Sequence, residues 1–283
     1  MSVLNSGTLA IGFYLGALIL QISQMLRPSA SESGAGSSPL VNKGLAQPLL
    51  LILSGCALLA HLSTSRLQMI SVNGLDFSLM PISVSILFIV NLIVVVSCLR
   101  QPLLNLLLFL FPASIAVITA SLVFDGGGVS VKTLTPGLGV HILFSILAYS
   151  LMTIAAVEAL FLAYQNRQLH QHQTGGLMRV LPPMQTMEHL LFNLVAVGFV
   201  FLTLALIAGF AFVENFIAQH LAHKTVFSIL AWVVYAILLW GRYRLGWRGK
   251  IATLWTLGGF LALMLAFWGS KFVLEVLLSN PSN

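Results

Sequence analysis

Long apolar runs, separated by short polar segments, follow one another along the whole chain. Eight of these runs are close to, or longer than, the roughly 20 residues that an α-helix needs to cross a bilayer. A spanning helix satisfies its own backbone amides in lipid, so the pattern predicts an all-α bundle of eight transmembrane helices. The predicted spans are approximately 6–26, 48–64, 77–99, 102–124, 140–164, 190–213, 225–243 and 251–274.

The segments between the spans are short, and none is long enough to fold as a soluble domain. Residues 1–47 contain the first span and a flexible Ser/Gly-rich loop. No cation precedes that span and no small-residue cleavage site follows it, so we expect a retained helix and not a signal peptide. Residues 48–275 form the predicted membrane domain, and residues 276–283 form a short tail.

Composition excludes a soluble protein. Of the 283 residues, 58% are hydrophobic and only 7% are charged, which leaves too little polar surface to solvate a globule of this size. The net charge of +6 would suit a nucleic-acid partner in a soluble chain, but the cations lie between apolar runs. We therefore interpret them as topology signals, and we expect the lipid bilayer, and no nucleic acid, as a partner.

Lysines and arginines collect in the loops on one side of the predicted bundle, as the positive-inside rule requires of the cytoplasmic side. This predicts that both termini lie outside. The inner loops then hold nine cations, Arg27, Lys43, Arg100, Arg167, Arg179, Arg242, Arg244, Arg248 and Lys250, and the outer side holds four, Arg66, Lys132, Lys224 and Lys271.

The cysteines and acids exclude some chemistry. Cys56 and Cys98 lie at different predicted depths, and the chain has neither a CxxCH nor a CxxC motif, which argues against a disulfide oxidoreductase and against covalent haem attachment. Glu158 is the only acid inside a run, and its position predicts a snorkelling side chain near the inner interface. The absence of an acid at mid-depth argues against a proton-coupled carrier.

Two of the seven histidines, His61 and His141, are embedded in apolar runs, both toward the predicted outer face. His141 begins a polar stripe with four-residue spacing that continues through Ser145, Tyr149 and Thr153, and such a stripe faces protein or a cavity. Two interpretations stay open, because the polar groups either hydrogen-bond neighbouring helices or bind a cofactor. His170 and His172 form at best a weak metal pair.

Haem is the cofactor that this pattern suits. A porphyrin iron binds neutral imidazoles, the apolar macrocycle fits between helices, and the propionates need cations near water. His61 and His141 are the candidate iron ligands, and the outer cations Arg66, Lys132 and Lys224 are the candidate propionate partners. Arg66 lies five residues after His61 and Lys132 nine residues before His141, although each cation also suits an ordinary interfacial charge.

Four stretches resemble the cytochrome c assembly superfamily of CcsA/HemX-like proteins, and in particular its YpjD-type inner-membrane branch. They are HLSTSR (61–66), VHILFSILAYSLMTIAAVEALFLAYQ (140–165), LPPMQTMEHLLFNLVAVGFVFLTLALIAGF (181–210) and SILAWVVYAILLWGRYRLGWRGK (228–250). The GWRGK segment is the most specific of the matching pieces. The resemblance implies a multi-pass protein of the bacterial inner (plasma) membrane, a haem ligand at His141 near the outer face, and a haem site within the membrane at His61.

The chain departs from the members that perform the full assembly reaction. Those proteins have a tryptophan-rich WWD segment on an outer loop, which here is VENFIAQHLAHK (213–224) without tryptophan. Trp240 stands where they have a histidine, and no histidine follows His223 although they have one after the last span. These differences argue against cytochrome c synthetase activity, and we assign no catalytic residue.

The predicted function is therefore haem binding or handling in cytochrome c biogenesis or tetrapyrrole metabolism. The alternative is a haem-free membrane scaffold or regulator that binds another membrane or periplasmic assembly protein. A small-solute transporter is a third possibility, supported only by the polar stripe and by the glycine-rich loop 125–137, which we expect to be a mobile turn.

Overall fold

The computed structural model describes residues 2–26, 43–71, 74–99, 103–124, 130–131, 135–171, 181–212 and 219–269. Within these ranges, eight helices are long and apolar enough to cross a membrane, which confirms the predicted fold class and the eight spans. The helices are α1 (Val3–Leu26), α2 (Lys43–Met69), α3 (Leu79–Ser97), α4 (Leu104–Val123), α5 (Pro136–His170), α6 (Met184–Phe212), α7 (Gln219–Leu245) and α8 (Gly249–Met264). A π-helical turn, Leu265–Gly269, continues α8.

Several helices are longer than the apolar runs that predicted them. Helix α2 begins before Pro48 and contains that proline, and α5 continues beyond Tyr164 to His170. Hydrophobicity marks the part of a helix that lies in lipid, whereas the hydrogen-bonded helix itself can continue into water. The orientation of the termini stays a prediction, and the predicted tail 276–283 lies outside the described residues.

The longer α5 changes the position of Glu158. Its side chain is buried, with 1% of its surface exposed, and α5 runs on for about 18 Å beyond it at 1.5 Å per residue. The predicted snorkelling side chain is therefore wrong, because neighbouring helices cover this turn of α5 and the helix ends farther away than the apolar run does.

A small antiparallel sheet of three short strands was not predicted. Strand β1 (Ile70–Ser71) pairs with β2 (Gly74–Asp76), and β2 pairs with β3 (Ser130–Val131), so that Leu75 lies opposite both Ile70 and Val131. Two residues of the glycine-rich loop 125–137, for which the sequence predicts a mobile turn, thus form a paired strand, whereas residues 125–129 and 132–134 lie outside the described residues. The sheet joins the α2–α3 connection to the α4–α5 connection, and it places both at the same end of the bundle, as alternating membrane crossings require.

The helices pack as two groups. Helix α1 contacts α2 and α4, and α3 also contacts α2 and α4, which makes a first group of four. In the second group α5 packs against α6 and α8, and α7 packs against α6 and α8. Helix α3 also contacts α5, so it is the principal connection between the two groups. The candidate functional site lies on the α5 side of this connection.

Candidate functional site

A cavity of about 380 Å³ lies between α3 and the second group of helices. On α5 it extends from Leu138 to Tyr149, which corresponds to about 16 Å along the helix axis. Because α5 begins just after β3, the cavity lies toward the sheet end of the bundle. Its walls are mainly apolar, and polar groups come from a few lining residues: His141, Ser145, Tyr149, Lys224, Thr225 and Ser228.

His141 lies in this cavity with one ring nitrogen fixed and the other available. Its Nδ1 is 2.8 Å from the carbonyl oxygen of Ala205 on α6, and a carbonyl only accepts, so Nδ1 carries the proton. In a neutral imidazole the lone pair is then on Nε2. The Ser145 hydroxyl is 3.5 Å from Nε2 but donates its proton to the His141 carbonyl oxygen at 2.7 Å. No other described residue bonds Nε2.

The polar stripe of α5 faces protein and cavity, as predicted. Ser145 and Tyr149 line the cavity with His141, and the Tyr149 ring packs against Phe260 and Phe267 with centroid distances of 5.8 Å. Thr153 lies one turn deeper, and its hydroxyl donates to the Tyr149 carbonyl oxygen at 2.8 Å. The stripe therefore supplies the polar groups on one wall of an otherwise apolar chamber.

His61 is in a different environment. It is fully buried, and its Nε2 donates to the carbonyl oxygen of Val84 on α3 at 3.0 Å. Its Nδ1 therefore accepts the hydroxyl proton of Tyr14 on α1 at 2.9 Å. The rings of Tyr14 and Phe88 contact the imidazole edge-on, at centroid distances of 5.7 and 5.8 Å. Both ring nitrogens of His61 are thus already bonded within the protein.

Helix α3 separates the two predicted iron ligands. Val84 and Phe88 face His61, whereas Ile82 and Ile86 line the cavity. Two residues along a helix correspond to a turn of about 200°, so these pairs occupy opposite faces of α3. The structure consequently does not bring His61 and His141 into one pocket, and iron ligation by either residue stays a prediction.

The structure describes two of the three predicted propionate partners, and one of them lines the cavity. Arg66 is exposed on α2, and Lys132 lies outside the described residues. Lys224, near the start of α7, does line the cavity. The sequence indicates this position through the spacing of Lys224, Thr225 and Ser228, which places three polar side chains on one face of the first turns of an otherwise apolar helix. For the predicted metal pair, His170 is exposed at the end of α5 and His172 lies outside the described residues.

The sequence also gave no indication of the π-helical turn. Ala266 and Phe267, both within Leu265–Gly269, form part of the cavity wall. Single π-helical turns inside α-helices are uncommon and are frequently found at functional sites. The π-helical turn and His141 therefore line the same cavity.

Residues 43–278, most of the chain, match the profile of the family described as Cytochrome C assembly protein. The chain belongs to this family. The resemblance identified from its sequence is thereby confirmed, and the family region includes α2 to α8 together with the cavity. Helix α1 precedes the matched region.

Relatives within the family include three proteins of known name. Inner membrane protein YpjD of Escherichia coli is 37% identical over 143 residues, which are 50% of this chain and 54% of YpjD. Cytochrome c biogenesis protein CcsA of Chlamydomonas reinhardtii is 25% identical over 142 residues, 49% of this chain and 39% of CcsA. Protein HemX of Brevibacillus brevis is 22% identical over 131 residues, 46% of this chain and 48% of HemX.

The chain thus spans about half the length of the curated relatives it matches. No solved structure matches it significantly. The name of the Escherichia coli relative and the eight spanning helices confirm the predicted location, a multi-pass protein of the bacterial inner membrane.

Proposed function

We propose that this family member binds haem in the cavity, where Nε2 of His141 would hold the iron, and that it handles haem in cytochrome c biogenesis or tetrapyrrole metabolism. The observation that carries the proposal is the hydrogen bond from His141 Nδ1 to the Ala205 carbonyl oxygen. Histidines that bind metals usually donate their second ring N–H to such a group, which fixes the tautomer and the ring orientation.

The cavity supports the same conclusion. Its volume of about 380 Å³ lies within the range of small-molecule and cofactor pockets, and its apolar walls suit a porphyrin macrocycle. Lys224 places a cationic side chain in the lining, where a propionate needs one. Bound haem would supply a redox-active iron. Arg66 and Lys132 remain propionate partners predicted from the sequence.

The residues of the chain would have distinct roles at this site. The Ala205 carbonyl orients the imidazole, and Ser145 leaves Nε2 free because its own proton goes to the His141 carbonyl. Phe267 and other apolar wall residues exclude water from the chamber. His61 would bind iron only if its Nδ1 released the Tyr14 hydroxyl, so its predicted role has to be tested separately.

The test is the Soret absorption of protein purified in detergent after haem supplementation. We expect a band for the wild type and a loss of haem affinity for His141→Ala of at least about tenfold, the lower end of the loss that follows removal of a group hydrogen-bonded to a metal ligand. His61→Ala is measured alongside it, and exposed His189 provides the control variant His189→Ala. The absence of a band in the wild type, or a band that survives His141→Ala, contradicts the proposal.

A second candidate is a haem-free scaffold or regulator of a partner protein. The missing WWD segment favours it, because the surface expected to present haem is absent from the sequence. Cross-linking in cells, followed by purification of the wild type and His141→Ala, tests this candidate. A partner recovered equally with both, from protein that lacks a Soret band, supports the scaffold. Failure to recover any partner reproducibly counts against it.

A further inference from the structure

The turn between α7 and α8 is held in one conformation by its own residues. Gly246 and Gly249 have φ angles of 67° and 51°, in the left-handed region that favours glycine. The Trp247 amide donates to the Gly241 carbonyl oxygen at 3.2 Å, and the Gly249 amide donates to Glu188 Oε1 on α6 at 2.7 Å. The turn is thus tied both to α7 and to α6.

Two aromatic contacts strengthen this arrangement. The Trp247 and Trp255 ring centroids are 5.4 Å apart, so the turn packs onto α8. The Arg242 guanidinium donates to the Trp247 carbonyl oxygen at 3.2 Å and lies 4.4 Å from the Phe192 ring centroid. The Arg242 side chain is therefore bonded within the protein, although in the sequence it lies beside the other cations of this turn.

The other three cations, Arg244, Arg248 and Lys250, are exposed. None of them has a hydrogen-bond or ion-pair partner among the residues that the structure describes. Glu188, the acid that contacts this turn, is buried and already accepts from the Gly249 amide. The turn consequently exposes three cations, and no carboxylate among the described residues pairs with them.

Exposed aromatic and apolar side chains flank these cations. Trp240, Tyr243 and Leu245 are 59%, 86% and 58% exposed at the end of α7. Tryptophan and tyrosine beside a spanning helix are typical of the level of the lipid headgroups, and basic residues at that level attract anionic lipids. A nucleic acid or a soluble acidic protein would bind the cations but would not account for the exposed apolar and aromatic side chains beside them.

We propose that Arg244, Arg248 and Lys250 form a binding site for the phosphate-bearing headgroup of an anionic phospholipid, with the acyl chains along Trp240 and Leu245. The site is independent of the cavity and of the haem proposal. The bonded turn fixes the backbone positions from which the three side chains extend, so binding orders the side chains but not the turn itself. We name these three residues the basic turn.

Native mass spectrometry of the full-length protein tests the basic turn. The protein is purified in detergent and equilibrated with equal amounts of phosphatidylglycerol and phosphatidylcholine. We expect the wild type to retain phosphatidylglycerol at least about tenfold better, and we expect the variant Arg244→Gln, Arg248→Gln, Lys250→Gln to lose that preference. The matched control, Arg66→Gln, Lys132→Gln, Lys271→Gln, removes the same number of cations from the predicted outer side and should keep it.

Two further measurements separate the alternatives. The variant Arg244→Lys, Arg248→Lys keeps the charge and should keep most of the preference. An unfolding midpoint of the glutamine variant in detergent equal to that of the wild type shows that its loss of preference is not a folding defect. Inorganic phosphate in excess should not displace the lipid, since it lacks acyl chains. Equal loss in the matched control, no preference in the wild type, or full displacement by phosphate would overturn the proposal.

Discussion

His61 and His141 both lie within spanning helices, and they differ in the hydrogen bonding of the second ring nitrogen. In His61 one nitrogen donates to Val84 and the other accepts from Tyr14. In His141 only Nδ1 has a strong partner, the Ala205 carbonyl, and Nε2 lies at a cavity wall. The first arrangement links α1, α2 and α3, whereas the second leaves a lone pair for a ligand.

Replacement of Tyr14 by phenylalanine tests the structural role of His61. Tyr14→Phe removes the hydroxyl that satisfies Nδ1 in a fully buried site, so we expect it to lower the free energy of unfolding by about 1–3 kcal/mol. The midpoint of thermal unfolding in detergent measures the change. Tyr243→Phe, at an 86% exposed side chain, is the control and should be neutral. Equal midpoints for both variants would contradict the assigned role.

Replacement of Ser145 tests the free lone pair of His141. Ser145→Ala removes a hydroxyl that donates to a main-chain carbonyl and not to Nε2. If haem binds as proposed, the Soret band of this variant should keep its position, and haem affinity should change by less than about threefold, the effect of losing one weak neutral contact. A loss as large as that of His141→Ala would show that Ser145 holds the ligand or the imidazole itself.

At the scale of elements, the apolar pattern identified every spanning helix but not the ends of the helices or the sheet. Strands of two or three residues are too short to show a period in sequence, and the paired residues of β2 and β3, which are 54 and 56 positions apart, leave no local signal. The His141 wall was predictable because its stripe lies on one helix. The Ala205 partner was not, because it comes from another helix and acts through its backbone.

Adjacent glycines on α8 offer a matched test of helix packing. A Cβ on Gly259 would lie 2.7 Å from the ring of buried Tyr235 on α7, whereas a Cβ on Gly258 meets nothing within 4 Å. Gly259→Ala should therefore lower stability by about 1–3 kcal/mol through overpacking. Gly258→Ala should raise it by up to about 1 kcal/mol, since alanine favours the helix. The midpoints of thermal unfolding of the two variants in detergent measure these changes. Equal shifts of the midpoint in both variants would contradict the α7–α8 packing.

At the scale of the whole molecule, α1 lies before the family match and is nevertheless part of the bundle. It gives Tyr14 to His61, and its Gln21 side chain donates to the Leu104 carbonyl oxygen on α4 at 2.5 Å. The sheet joins the connections on either side of α3 and α4. These contacts show which loops lie at the same end of the bundle. Which side of the membrane that end faces is predicted by the positive-inside rule.

Labelling of single cysteines determines the orientation. The free cysteines Cys56 and Cys98 are first replaced by alanine, and Arg66→Cys or Tyr243→Cys is then introduced at an exposed position. An impermeant thiol reagent should label Arg66→Cys in intact spheroplasts and Tyr243→Cys only after lysis, because the nine-to-four distribution of cations places Tyr243 inside. The reverse labelling would invert the predicted topology.

The position of α3 constrains the coordination that is open to the proposed haem. His61 and His141 lie against its opposite faces, so in this packing they cannot ligate one iron from its two sides. A bis-histidine spectrum from a single haem would therefore require a rearrangement of α3 or a histidine from elsewhere in the chain. Titration with haem would reach one equivalent per chain if only His141 binds, and two if each histidine serves its own iron.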